Sequence, residues 1–393
     1  MTEWLKTALI DIVELIGGGT PKTSKAEYWG GNINWLSVKD FNNENRYVYS
    51  TEKTITEEGL NNSSTKLLKK DDIIISARGT VGELAMIPFP MAFNQSCYGI
   101  RAKEGIDSIF LYYLIKNSVR KLKAITHGSV FDTITRDTFA NIEVAIPDIK
   151  TQHRIAKMLA DIDDKVENNQ RINNNLLEQV LAIYRHRFVD TTNELRQICR
   201  ADEYFDISIG KTPPRKEPQW FSTNPKDVTW VSISDMGTCG LYISESSEQL
   251  TKEAVDRHNV KIVPDNTVLL SFKLTVGRIA ITDGEMTTNE AIAHFKTNKK
   301  EINEYLYCYL KCFNYQTMGS TSSIATAVNS KIIKGMPFIV PTDEEITEFH
   351  SLAAPMFARI KANQAEIRNL TLLRDALLPK LMSGEINISD IDI

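Results

Sequence analysis

The chain has 393 residues, too many for one ordinary domain, and its 42% hydrophobic and 24% charged residues form a globular composition that calls for two or more cores. No run approaches the roughly 18 to 20 apolar residues that a membrane span requires; charged side chains interrupt even the opening MTEWLKTALIDIVELIGGG, so a cytoplasmic protein is expected. Five scattered cysteines argue against a disulfide framework, and a formal net charge of −4 argues against a surface that is basic throughout.

Residues 1–148 read as a first module. It opens on turn chemistry at Gly17-Gly18-Gly19-Thr20-Pro21, passes Tyr28-Trp29, and continues through Ile33-Asn34-Trp35-Leu36-Ser37-Val38-Lys39-Asp40. A short β-rich run, Ile73-Ile74-Ile75, leads into Ser76-Ala77-Arg78-Gly79-Thr80-Val81-Gly82. A helical patch spans Ile109 to Lys123, and an apolar strand ends at Ile146-Pro147. This is an α+β module of roughly 140 to 150 residues.

Residues 149–190 follow as a long helix, with no Gly or Pro between Lys150 and Phe188. Its apolar positions, Ile155, Leu159, Ile162, Val166, Leu176, Val180 and Ile183, fall at heptad spacing, and Asp148 supplies an acidic start.

Residues 191–342 repeat the first module. Lys211-Thr212-Pro213, Gln219-Trp220 and Val228-Thr229-Trp230-Val231-Ser232-Ile233-Ser234-Asp235 match its opening, and Leu270-Ser271-Phe272-Lys273-Leu274-Thr275-Val276-Gly277 matches Ile75 to Gly82. An offset of 195 residues separates Ser76 from Ser271, Asn94-Gln95 from Asn289-Glu290, and Tyr112 from Tyr307. Gly128-Ser129 then pairs with Gly319-Ser320, and Ile146-Pro147 with Val340-Pro341. Chance similarity does not hold register over such a length.

Residues 343–383 form the second long helix, ahead of a tail at 384–393. Its apolar positions are Ile346, Phe349, Ala353, Met356, Ile360, Ile367, Leu370, Leu377 and Leu381, with Pro355 interrupting and Thr342-Asp343-Glu344-Glu345 at the start. Two helices of about 38 residues would each span about 57 Å, the reach of a spacer. The fold expected is α+β: two tandem, similar modules separated by two long helices that pair as an antiparallel coiled coil. The alternative is that each helix folds back on its own module. Asn169 and Asn363, at equivalent mid-helix positions, would meet in an antiparallel pair and fix its register; the alternative is that they face solvent.

Catalytic and metal chemistry were sought along the chain. Gly210-Lys211-Thr212 has the end of a phosphate-binding loop, but Phe205 stands where the first glycine belongs and Pro213-Pro214 stops the helix that must follow. Gly17-Gly18-Gly19 lacks the strand-turn-helix setting of a dinucleotide site. There is no Gly-x-Ser-x-Gly, no His-Glu-x-x-His and no Asn-Pro-Pro-aromatic run, and the six histidines are dispersed. Cys308 and Cys312 have i, i+4 spacing without companion ligands, which favours two small core residues over a metal site. No catalytic residue and no metal ligand is assigned.

Taken together, these motifs resemble the specificity subunits of type I restriction-modification systems, over essentially the whole chain. The resemblance rests on Gly18-Gly19-Thr20-Pro21 with Tyr28-Trp29-Gly30-Gly31 and Trp35-Leu36-Ser37, on Ser76 to Gly82, and on Leu377-Leu378-Pro379-Lys380-Leu381-Met382-Ser383-Gly384-Glu385-Ile386. It implies a non-catalytic DNA-recognition subunit in which each module, a target recognition domain, reads one half of a split asymmetric site in double-stranded DNA. The helices would set the unread spacer and dock partners. The implied partners are two modification subunits, which bind S-adenosylmethionine and methylate adenine, and restriction subunits, which hydrolyse ATP with Mg and cut DNA. No cofactor is expected on this chain. With a net charge of −4, basic groups concentrated on one face, together with charge from partners, would have to supply the phosphate contacts. The alternative function is a two-module scaffold for a protein or glycan ligand, which would lack steep salt dependence of DNA binding.

Base edges are read by Arg, Lys, Asn and Gln, and phosphates are held by Lys, Arg, Ser and Thr, so loops carrying these residues beside glycine are the candidates. In the first module these are Lys22, Thr23, Lys25, Lys39, Arg78, Thr80, Ser129 and Arg136. In the second they are Lys211, Arg215, Lys216, Ser234, Lys273, Thr275, Ser320 and Ser322. Arg78 and Lys273 lead because they occupy equivalent positions. The second module departs at Lys273-Leu274, against Arg78-Gly79, and at Lys211, against Gly19, so the two should read different sequences.

Overall fold

The computed structural model describes residues 4–43, 45–125, 133–190, 196–318 and 329–388. They form two compact units, residues 1–168 with 366–393, and residues 169–365.

In the first unit a four-stranded antiparallel sheet runs Val13–Gly17, Cys97–Ala102, Ile73–Ser76, Leu84–Met86. A three-stranded sheet places Trp29–Leu36 between Lys53–Ile55, antiparallel, and Ala92–Phe93, parallel. The run Ile73-Ile74-Ile75 is buried on both faces, which explains why it is continuously apolar rather than alternating. Ile73 and Ile75 join the core under the helix Ser108–Ile125, while Ile74 faces a second cluster with Leu36, Phe41 and Phe93.

The second unit repeats this plan. Its larger sheet runs Asp206–Ile209, Ile292–Lys296, Val268–Ser271, Ile279–Thr282, with Tyr242–Ile243 added in parallel at the edge. The first unit marks the same place with an isolated parallel bridge from Tyr47 to Met86. The smaller sheet sets Val228–Val231 between Glu248–Leu250 and Thr287–Thr288. Cys308 lies in the core on the helix Asn303–Cys312, its thiol pushed well up by burial, and no metal-ligating cluster occurs among the described residues.

Each module closes by pairing its first strand with its last: Leu5–Ala8 with Glu143–Ile146, and Ile198–Arg200 with Pro337–Ile339. A proline follows each closing strand, and a helix starts at once. Asp148 accepts from the Thr151 amide at 3.0 Å and its hydroxyl at 2.8 Å, bonds that hold the carboxyl below its ordinary value, and Ile149–Tyr184 follows. Thr342 and Glu345 form the reciprocal bonds of a capping box ahead of Asp343–Met382. This helix is continuous through Pro355, which lies on an exposed face.

The helix faces are less uniformly apolar than the heptad reading implies. In the first unit Ile155 and Leu159 pack with Leu378 and Leu381, but Ile162 and Leu377 are only half-buried. The buried positions include Asp163, whose carboxylate accepts from Arg374 Nη1 at 2.9 Å and from the Tyr113 hydroxyl at 2.6 Å. In the second unit the equivalent positions are Phe357, Val180 and Cys308, all buried and apolar. There the helix segments also pack on their own module: Tyr184, Phe188, Tyr305 and Phe349 form one aromatic cluster. Asn169 and Asn363 are both buried rather than solvent-facing, and the Asn363 amide donates to Asn173 Oδ1 at 2.8 Å, one turn beyond Asn169.

Two stability predictions follow from these buried polar groups. Removing Arg374 strands the Asp163 charge, so Arg374→Ala should cost about 3–5 kcal/mol in urea unfolding, and the charge-free pair Asp163→Leu with Arg374→Met should cost less than that single change. His294 is fully buried between the hydroxyls of Ser208, at 3.0 Å, and Thr288, at 2.7 Å; burial, with Lys296 adding, pulls its pKa down to about 3. The unfolded chain therefore takes up a proton below about pH 6.5 that the folded unit refuses, and stability falls as pH drops through that window by about 1.4 kcal/mol per pH unit. Unfolding measured between pH 6.5 and 5 should show this slope in the parent and lose that component in His294→Asn.

Candidate nucleic-acid interface

The candidate loops converge because the same backbone and side-chain fasteners recur in both modules. At the first turn, the Gly19 amide donates to Phe93 O at 2.9 Å and Gly19 O accepts from the Trp35 indole at 3.0 Å. A Cβ on Gly18 would lie 2.1 Å from Asn94 O, so only glycine permits this approach. In the second module the Lys211 amide donates to Thr288 O at 2.9 Å and Lys211 O accepts from the Trp230 indole at 3.2 Å. With the Gly210 amide also bound to Ile292 O at 3.1 Å, the amides a phosphate loop would offer are already used by strand carbonyls.

From this turn Thr20 donates its hydroxyl to the Gln95 side chain, and Thr212 donates to Glu290. The next residues tie in the central loop: the Ala77 amide bonds Ser96 O at 2.8 Å, and the Phe272 amide bonds Ala291 O at 2.9 Å. That loop is built around a buried serine. Ser76 Oγ donates to Thr80 O and accepts from the Glu83 amide, while Ser271 Oγ donates to Thr275 O at 2.6 Å and accepts from the Arg278 amide at 3.0 Å. Arg78-Gly79-Thr80 and Lys273-Leu274-Thr275 are thereby held out as exposed tips.

A third loop is fixed by an aspartate. Asp40 binds the Ser37 amide at 2.7 Å and the Glu52 amide at 2.7 Å, and Asp235 binds the Ser232 amide at 2.8 Å and the Ser247 amide at 3.0 Å, presenting Lys39 and Ser234. Burial works to raise the Asp235 pKa, but these hydrogen bonds outweigh it and hold the carboxyl below its ordinary value. In the second module Arg278 clamps this loop to the central one by donating to Ile233 O at 2.6 Å.

The candidates differ in how committed they already are. Lys22, Thr23, Lys39, Arg78, Thr80, Lys211, Lys216, Ser234, Lys273 and Thr275 are exposed. Lys25 is exposed but leans on Tyr28 and lies 3.5 Å from Glu27. Arg215 is engaged within the module, with two bonds to Glu248 at 2.9 and 2.8 Å and stacking over Phe221 and Trp230. Arg136 reaches Leu15 O at 3.4 Å, near the Arg78 bridge to Thr133. Ser129, Ser320 and Ser322 lie outside the described residues.

The sequence reading passed over Gln95, Glu290 and Arg278. The first two were signalled by their shared offset behind an asparagine, and the third by its place after Gly277. Burial works to raise the Glu290 pKa, but the Thr212 bond, the residue's own amide and the charges of Lys273 and Arg215 hold the carboxyl below its ordinary value. An amide in one module and a carboxylate in the other, at the same place between the same loops, offer different hydrogen-bonding chemistry to a base edge.

The model of the type I restriction modification DNA specificity domain matches residues 1–178 and again 194–364. The chain belongs to that family. Its relatives are specificity subunits, the non-catalytic, DNA-recognising component of type I restriction-modification enzymes. The type I restriction enzyme MjaIX specificity subunit of Methanocaldococcus jannaschii is 28% identical over 99% of this chain and 95% of its own length. The EcoR124I/EcoR124II specificity subunit of Escherichia coli is 33% identical over 41% of each chain. The crystal structure of the S subunit from M. genitalium shares the fold, with a TM-score of 0.55 at 15% identity over 96% of both chains.

The serine fastener gives a direct test of how this specificity-subunit loop is held. Ser271→Ala removes two bonds from a fully buried hydroxyl site and should cost about 1–3 kcal/mol. Hydrogen exchange should show the Arg278 amide losing protection, while the amides of the Asp235 loop, fixed independently, change less.

Proposed function

We propose that each module reads one half of a split, asymmetric DNA site and that the two long helices pair antiparallel as a coiled coil that sets the unread gap. The observation carrying this reading is the duplication at the level of single hydrogen bonds: the same three loops are fastened in the same way in both modules, while their tips and the residue between them differ. Identical frames with different contact groups suit two half-sites of different sequence. Helix pairing is supported within each unit by Asp163 with Arg374 and by Asn173 with Asn363. In both units, higher numbers on the first helix meet lower numbers on the second: Lys165 lies by Glu366, and Arg187 by Glu348.

On this reading the helices also dock two modification subunits, which bind S-adenosylmethionine and methylate adenine, and the assembly admits restriction subunits that hydrolyse ATP with Mg and cut DNA. The chain itself holds no cofactor. Exposed Leu372 and Leu373 on the second helix are the kind of apolar surface such docking covers.

The test is to co-express the chain with its modification subunits and map adenine methylation across a genome. A split site with two different halves and a fixed gap is expected; Arg78→Ala should relax sequence preference in one half only, and Lys273→Ala in the other. Binding of the complex to the mapped site should fall steeply with salt, each lysine or arginine that contacts a phosphate contributing a slope of about 0.9. Methylation without a split site, or salt-independent binding, would contradict the reading.

A further inference from the structure

The tip of the central loop in the second module carries a leucine that the described residues of that module do not use. Leu274 is 99% exposed, and its backbone lies in the left-handed region at φ +60°. Both properties are unfavourable for leucine: an L side chain with a Cβ is strained at that φ, and its apolar surface stands wholly in water. Neither is needed to make the loop. At the equivalent position in the first module the same turn is made by Gly79 at φ +80°, with nothing within 4 Å of where a Cβ would stand. The loop is closed by bonds that do not involve the Leu274 side chain, from the Thr275 amide to Lys273 O at 2.6 Å, from Ser271 Oγ to Thr275 O at 2.6 Å, and from the Gly277 amide to Ser271 O at 3.0 Å.

A residue that is costly twice and packs against nothing among the described residues gains by contact with something outside them. Its flanks define that partner. Lys273 and Thr275 adjoin it on the same exposed tip, and the charges of Lys273 and Arg215 both act on Glu290 beside the loop. An apolar tip rimmed by cations and hydroxyls matches a groove whose rim is phosphate and whose floor is base surface.

We propose that Leu274 is a specificity-determining contact of the second module, laying its side chain against the apolar surface of a base in that module's half-site. This rests on the second module reading DNA. The apolar surface is either a thymine methyl in the major groove or a base step opened by the side chain. The first module, with Gly79 in this place, lacks the contact.

The experiment uses the full chain in complex with its modification subunits and a duplex carrying the methylation site mapped for the parent. Leu274→Gly and Leu274→Asn, which both tolerate the backbone, should bind that duplex at least tenfold more weakly, while affinity for an unrelated duplex and the thermal midpoint do not fall; Leu274→Met should retain most of the affinity. Thymines of the second half-site are then replaced singly by deoxyuridine, which removes only the methyl. A several-fold loss at one position in the parent, absent in Leu274→Gly, identifies the thymine methyl. A 2-aminopurine signal at one step that brightens with the parent and not with Leu274→Gly identifies the opened step. If Leu274→Gly binds within twofold of the parent and methylates the same sites, or if binding is lost without either signature, the proposal is overturned. If the parent itself has no defined second half-site, the failure lies with the reading on which the proposal rests.

Discussion

The architecture depends on one constraint, the antiparallel pairing of each module's first strand with its last. Leu5–Ala8 with Glu143–Ile146, and Ile198–Arg200 with Pro337–Ile339, bring the two ends of each module side by side. The closing strand cannot extend, because Pro147 and Pro341 lack the amide another ladder bond would need. Asp148 and Thr342 then cap the next residues at once, so each long helix starts from a fixed point on a closed module instead of from a linker. On the proposed reading, that fixed start keeps slack out of the junction between a module and its helix.

Within the modules, what is buried repeats and what is exposed varies. Ser76 and Ser271, Asp40 and Asp235, and the indoles of Trp35 and Trp230 satisfy the same backbone groups in both copies. Leaving such groups unmet would cost far more than any tip substitution, so the frame is tightly constrained while the tips are free to carry contact chemistry. Arg78-Gly79 against Lys273-Leu274, and Gln95 against Glu290, are where the exposed chemistry of the two modules differs.

The central strand and the closing strand of each module, one helix in each module and both long helices were readable from residue pattern, because repetition doubled every signal; the short helices, such as Glu57–Asn61 and Lys252–Arg257, and most of the other strands were too short to leave a pattern. Nor was the interior of the helix faces readable. Asp163 stands one residue beside the seam position Ile162 and Arg374 stands on the seam between Leu370 and Leu377, where a heptad count expects apolar side chains, and only their proximity in three dimensions makes burial tolerable. The Asn363 amide reaches Asn173, one turn from Asn169, since spacing fixes a face but not every neighbour across it. Among candidate contacts, exposure of Arg78 and Lys273 follows from loop position, whereas the engagement of Arg215 by Glu248 and two rings depends on pairing between segments far apart in sequence. The φ of Leu274 is likewise invisible in a linear reading until Gly79 is set beside it.

The most direct test of the central claim is to replace residues 1–148 with residues 191–342, so that the chain carries two second modules, and to map adenine methylation in the reassembled complex. The account predicts a site in which the half formerly read by the second module occurs on both sides of an unchanged gap. Retention of the original asymmetric site, or loss of any fixed gap in a complex that still assembles and methylates, would contradict it.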